Sequence, residues 1–264
     1  VEAAAERVQL EYGTALQEVL AFQKRMAHIH PVLEEPFPIA LVERDDFHVF
    51  DVDASGQRYR FVKRAPTGMP IPQGVRAAFP IECYDGRLAC VVTGDVFDTL
   101  EGYVTVMHEF VHCYQGETCE SSLKDTLSIA RKAKAEGDYM WELNYTFPYD
   151  DPQFAETYVA FLAALQGSHD DAVLAARDRL AAMLDRGGRE YLTWQEWKEG
   201  FARYVENCIK RQVGLEENHG GSELPLNRVS FYEGGSRYIA FLGERDPLLP
   251  RDLEALFHHM RVGG

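Results

Sequence analysis

Residues 104–117 read VTVMHEFVHCYQGE. Two histidines, His108 and His112, stand four apart, with Glu109 directly after the first. On a helix such residues lie one turn above each other on the same face, so two imidazoles can reach one ion with about the bite that tetrahedral zinc requires. Glu109 lies beside that face, where it can reach a metal-held water without binding the metal itself. Zinc lowers the pKa of such a water towards neutrality, so a carboxylate is base enough to take its proton. With nine histidines in 264 residues, chance yields this pattern in about one such chain in thirty, so the surroundings must decide. Val104, Val106, Met107, Phe110, Val111, Cys113 and Tyr114 make the segment apolar nearly all round. A helix like that is buried, and buried histidines need partners.

Local patterning predicts the elements that must position this segment. Apolar residues at helical spacing (Val8, Ala15, Leu16, Val19, Leu20, Phe22) predict a helix over 3–28, broken by the prolines of HPVLEEPFP. The period then changes to two. PIALVERDDFHVFDVDASGQRYRFVKR predicts strands turning at ASGQ, and AFPIECYDGRLACVVTGD predicts a hairpin with Asp85-Gly86 in its turn. Beyond residue 98 the chain reads as helical. Asp98 with Glu101 resembles a capping box for the HEFVH helix, and further helices are expected over 121–136, 154–166 and 170–185, the last two parted by QGSHDD. GGREYLTWQEW reads as the stop of one helix and the start of the next, capped by Thr193 and Glu196 and running from Trp194 to about Val213. A last pair is expected near 231–243 and 250–260. Strands followed by helices indicate an α+β fold. We read residues 1–264 as one domain with a strand-rich lobe at about 30–97 and a helical lobe at about 98–264.

Residues 194–206, WQEWKEGFARYVE, resemble the segment that carries the third zinc ligand in the gluzincin metallopeptidases, the aminopeptidase N-like and thermolysin-like group. The resemblance implies a thermolysin-like zincin fold and a zinc metallopeptidase that hydrolyses peptide bonds. It implies zinc held by His108, His112 and Glu199, with Glu109 as the general base. The small residues Gly200 and Ala202 would let this helix approach the HEFVH helix closely. Glu199 follows His112 by 87 residues, against roughly twenty in the family, which requires an inserted helical segment. Lys198 stands where the family often has asparagine, and Glu142 in MWELNY is the alternative third ligand. SFYEGGSRYIAFL (230–242) is similar to the family helix whose tyrosine hydroxyl stabilises the tetrahedral intermediate. That implies a catalytic Tyr232, with Tyr238 as its alternative. RLACVV, ahead of the motif, would be the edge strand that pairs with an extended substrate. The glycine-x-methionine-glutamate-asparagine segment by which the aminopeptidases hold a free N-terminus is absent, and residues 1–80 match no family segment.

The partner implied is a peptide or protein substrate. A catalytically silent zincin relative that binds peptides or proteins stays open as the other reading. A net charge of −15 argues against nucleic acid and against an anionic membrane, and no apolar run is long enough to span a bilayer. The five cysteines are odd in number and form no CxxC pair, which favours thiols and a reducing, cytoplasmic setting. The chain opens at Val1 rather than methionine, which leaves an earlier export segment open. His219 in ENHGGSE is a possible second electrophile or a surface histidine. The pairs His28/His30 and His258/His259 read as solvated helix ends, and the acidic runs lack calcium-loop spacing.

Overall fold

In the computed structural model, which describes residues 2–167 and 170–263, the N-terminal amphipathic stretch forms α1 (Glu2–Met26). Its buried side carries Val8, Leu16, Val19, Leu20 and Phe22, the residues whose spacing predicted it. His28 is exposed, but His30 is buried: its Nδ1 accepts the Val32 N–H at 3.2 Å and so caps a short 3-10 turn.

The alternating stretches form β1 (Ile39–Glu43), β2 (Asp46–Val52), β3 (Tyr59–Pro66), β4 (Arg76–Ile81) and β5 (Arg87–Thr93). They build one five-stranded mixed sheet in the order β3-β2-β1-β5-β4, in which only β1 and β5 run parallel. RLACVV is therefore an interior strand and not the expected edge, since β1 covers one side of it and β4 the other. The fully buried run Ala89–Cys90–Val91–Val92 marks it as such, because a strand covered on both faces loses its alternation. The edges are β3 and β4. One face of the sheet packs Ala40, Val42, Phe47, Val49, Ala89 and Val91 under Ile71, Val75 and Phe79. The β4–β5 turn spans 82–86 and ends with Asp85 and Gly86 in the left-handed region at φ 54 and 69, where a short polar residue and glycine are at least strain.

The remaining elements are helices α2 (Leu100–Thr118), α3 (Glu120–Thr126), α4 (Ser128–Glu136), α5 (Trp141–Asn144), α6 (Pro152–Gly167), α7 (Asp170–Met183), α8 (Arg186–Val213), α9 (Arg228–Arg245) and α10 (Leu253–Met260). The class is α+β. Three local expectations need correction. The cap of α2 is Thr99, whose Oγ1 accepts the Gly102 N–H at 3.1 Å, and not Asp98. The helix expected over 121–136 is two, because Leu127 is extended. No helix starts at Thr193: α8 already begins at Arg186, where Asp185 Oδ1 accepts the Gly188 N–H at 2.7 Å, so Thr193 and Glu196 lie in its interior. The break at QGSHDD falls on Ser168 and His169, outside the described residues.

Two compact units divide the chain: residues 1–117 with 208–216, and residues 118–207 with 217–264. Within the first, α2 lies on the sheet face that carries Leu88 and Cys90. Phe110 meets Phe37 edge-on at 5.8 Å, and Gly116 leaves room for the Leu88 side chain. Within the second, a buried Arg177–Glu196 pair at 2.5 Å joins α7 to α8. Tyr158 of α6 donates to Glu196 at 2.8 Å, and Arg177 also donates to the Met260 carbonyl of α10 at 2.7 Å. Gly200 of α8 and Gly235 of α9 cross almost backbone to backbone. A Cβ on Gly235 would stand 2.1 Å from the Glu196 carbonyl oxygen, and one on Gly200 would stand 2.6 Å from Gly235 Cα. The small residue at 200 is thus required by α9.

Candidate metal centre

The HEFVH segment occupies the middle of α2. His108 is half-buried, and Glu109 and His112 are buried. The two Nε2 atoms lie 3.2 Å apart with ring centroids at 4.9 Å. Two nitrogens each about 2.05 Å from one tetrahedral zinc would be about 3.3 Å apart, so the imidazoles already hold the required bite. His112 Nδ1 lies 2.9 Å from Gln115 Oε1, which can only accept, so the ring proton sits on Nδ1 and Nε2 keeps its lone pair. Gln115 is fully buried, one turn along the same helix.

Sequence reasoning missed Gln115. Its signal was a polar residue three positions after the second histidine on a helix otherwise apolar. We expect Gln115→Leu to weaken metal binding about 10- to 100-fold, as loss of an outer partner of a ligating histidine commonly does. Competition against a calibrated chelator measures it, and an unchanged affinity would remove Gln115 from the site.

Glu109 is buried on α2. Burial first, and then the Glu109 carboxylate, raises the thiol pKa of both Cys90 and Cys113 well above that of ordinary cysteine. All five cysteines are free.

One ligand atom from each of His108, His112 and Glu199 lies within 4.8 Å of the others, and this trio could hold a metal ion. Glu199 sits on α8, on the polar face that could have pointed into water. It does not, because from Glu190 to Lys210 no residue of α8 is exposed. The charges on this helix are accommodated by pairing. Lys198 Nζ lies 3.1 Å from Glu120 and 3.2 Å from Glu142, and Lys124 approaches Glu142 at 3.7 Å. Burial works against the Lys198 ammonium, but the Glu142, Glu120 and Glu199 carboxylates together hold its pKa above that of ordinary lysine. Glu142, the alternative ligand, is thus engaged by two lysines and does not join the trio.

Tyr232 is half-buried in the second turn of α9, which opens with an Asn227–Ser230 capping box. The guanidinium groups of Arg203 and Arg228 lie over its ring, at 5.5 and 5.7 Å from the centroid. Burial, followed by the nearby Glu199 carboxylate, pushes the phenol well above ordinary tyrosine, so it remains a protonated donor. Tyr238 has a different setting. It is buried between Phe161 and Phe241, with Arg177 4.5 Å above its ring, and serves packing. His219 is half exposed, and its Nδ1 donates to buried Glu233 at 2.9 Å. His258 and His259 are exposed at the end of α10. Among the described residues no helix is long and apolar enough to cross a membrane.

No protein-family model, curated protein or solved structure matches the chain.

Proposed function

We propose that this protein is a zinc-dependent metallopeptidase with a thermolysin-like, gluzincin-type fold that hydrolyses peptide bonds. The observation that carries the reading is the His108, His112 and Glu199 donor set, with the two Nε2 atoms at zinc-ligand spacing. Two imidazoles and one carboxylate form a ligand set of catalytic zinc, which keeps a further position open. The mixed sheet ahead of the motif helix is compatible with a strand-rich zincin lobe, and its edge strand β4 could take the substrate-pairing role first read for β5.

Zinc bound there would supply Lewis acidity, making a water more acidic and a carbonyl more electrophilic. The chain's own residues would do the rest. Gln115 fixes the tautomer of His112. Glu109, next to the first ligand, takes the proton of the attacking water at its carboxylate and can return it to the leaving nitrogen. Tyr232, kept neutral beside Glu199, donates a hydrogen bond to the substrate oxygen as negative charge gathers there. The reading predicts one zinc per chain by elemental analysis and cleavage of a peptide library that a chelator abolishes. Tyr232→Phe removes only the hydroxyl and should lower kcat about 100- to 1,000-fold, with KM and zinc content nearly unchanged. Equal kcat in the two forms would end the role of Tyr232. Stoichiometric zinc with no cleavage by the unaltered protein would favour a silent, peptide-binding relative.

A further inference from the structure

A pocket of about 530 Å³ opens within the second unit along α9 and the end of α6. His219 and Arg237 form its polar wall, Leu165, Ala240 and Phe241 its apolar one, and Gln166 and the exposed Glu244 complete it. Behind the polar wall lies Glu233, a carboxylate with no solvent exposure, one turn before Arg237 on the same face of α9. Glu233 Oε1 accepts from His219 Nδ1 at 2.9 Å and from Arg237 Nε, while Oε2 faces Arg203 Nη1 at 3.7 Å. Arg203 also donates to the Gly220 carbonyl at 2.5 Å, which holds the segment carrying His219 in place.

This arrangement leaves specific groups unused. Glu233 engages only the Nε of Arg237, so among the described residues both terminal guanidinium nitrogens remain for a ligand. It also fixes the His219 ring by Nδ1. Arg203 also faces the Glu206 carboxylate, so Arg237 is the cation that the pocket itself presents. A buried acid that orients an arginine into an open pocket preorganises that arginine for an anion.

We infer that this pocket binds a carboxylate carried on an apolar body. The guanidinium fork of Arg237 matches a carboxylate in two parallel hydrogen bonds. Leu165, Ala240 and Phe241 cover the apolar body. Glu233 behind the wall and Glu244 within the pocket penalise a second negative charge, which disfavours a phosphate dianion. The pocket uses no residue of the metal trio, so it stands or falls apart from the peptidase reading.

The test uses the full chain stripped of metal by a chelator that is then dialysed away, so that a carboxylate cannot bind by ligating zinc. Titration calorimetry or ligand-observed NMR compares N-acetyl-leucine, its neutral amide, N-acetyl-glutamic acid α-amide and inorganic phosphate. We expect saturable binding of a carboxylate probe at least about ten-fold tighter than of the amide or phosphate. Tighter N-acetyl-leucine assigns the site to a terminal carboxylate, and tighter N-acetyl-glutamic acid α-amide assigns it to an acidic side chain. Arg237→Gln and Ala240→Glu should each weaken the preferred probe about ten-fold or more, and the second variant leaves the Glu233 cluster intact. Acid and amide binding alike, phosphate binding tightest, no saturable binding of either carboxylate, or a folded Ala240→Glu protein that binds as before would each overturn the inference.

Discussion

Glu109→Gln should retain zinc and lose peptide hydrolysis by about 100- to 10,000-fold, the usual contribution of a positioned general base. Glutamine keeps the size of the side chain and can still hydrogen-bond, but it cannot accept the proton that the attacking water must lose. Three features make the substitution informative. Glu109 is buried on α2 next to His108, so an isosteric change avoids a cavity. His108 and His112 sit on one helix with their Nε2 atoms 3.2 Å apart, and Gln115 holds His112 by its Nδ1. Zinc content and turnover can be measured on the same sample. Loss of both together would mean that Glu109 supports the fold or the metal rather than the chemistry. Unchanged turnover would exclude it as the base.

Glu199→Ala should lower zinc affinity well beyond the ~10- to 100-fold typical of losing an outer hydrogen-bond partner, because it removes one of three donor atoms. Glu142→Ala is the matched control. It also deletes a glutamate of the second unit, but one held by Lys198 and Lys124. That variant should lose stability, since two lysines then share fewer carboxylates, while it keeps its zinc. Equilibrium dialysis of both proteins, with denaturant melts alongside, separates the two effects. Stoichiometric zinc in the Glu199 variant combined with loss from the Glu142 variant would exchange their roles.

The parts of this molecule that were readable in its sequence are those that local chemistry specifies. Alternation gave the strands, and the apolar surround of HEFVH gave a buried helix with the histidines on one side. The errors arose where distant partners decide. A Thr-x-x-Glu pattern at 193–196 has the composition of a cap, but Glu196 is drawn to Arg177 and Tyr158, and α8 runs straight through. Gly187 and Gly188 suggested a stop, yet Asp185 caps the helix just before them and the chain tolerates both in its first turn. β5 was read as an edge because strand order is set by long-range pairing, although its unbroken apolar run already pointed to the interior. The polar face of α8 was ambiguous for the same reason. Lys198 and Glu199 look solvated until Glu120 and Glu142, from more than fifty residues away, are seen to neutralise the lysine.

Of the 86 residues between His112 and Glu199, those described form the end of α2, the five helices α3 to α7 and the start of α8. Chain statistics put the cost of such an excursion on a modest scale. Each doubling of a flexible loop adds about 0.6 kcal/mol to its closure, so going from roughly twenty residues to 87 adds only about 1.3 kcal/mol. Inserted sequence that folds on itself recovers far more than that, so the ligand spacing in the chain is a weak constraint on how such a site can be built. The same logarithm works in reverse once an ion is bound. A metal that ties His112 to Glu199 cross-links a long stretch of the unfolded chain and removes more of its entropy than it would across a short one. In this topology the ion would act as a fastener on the folded state as well as a reagent.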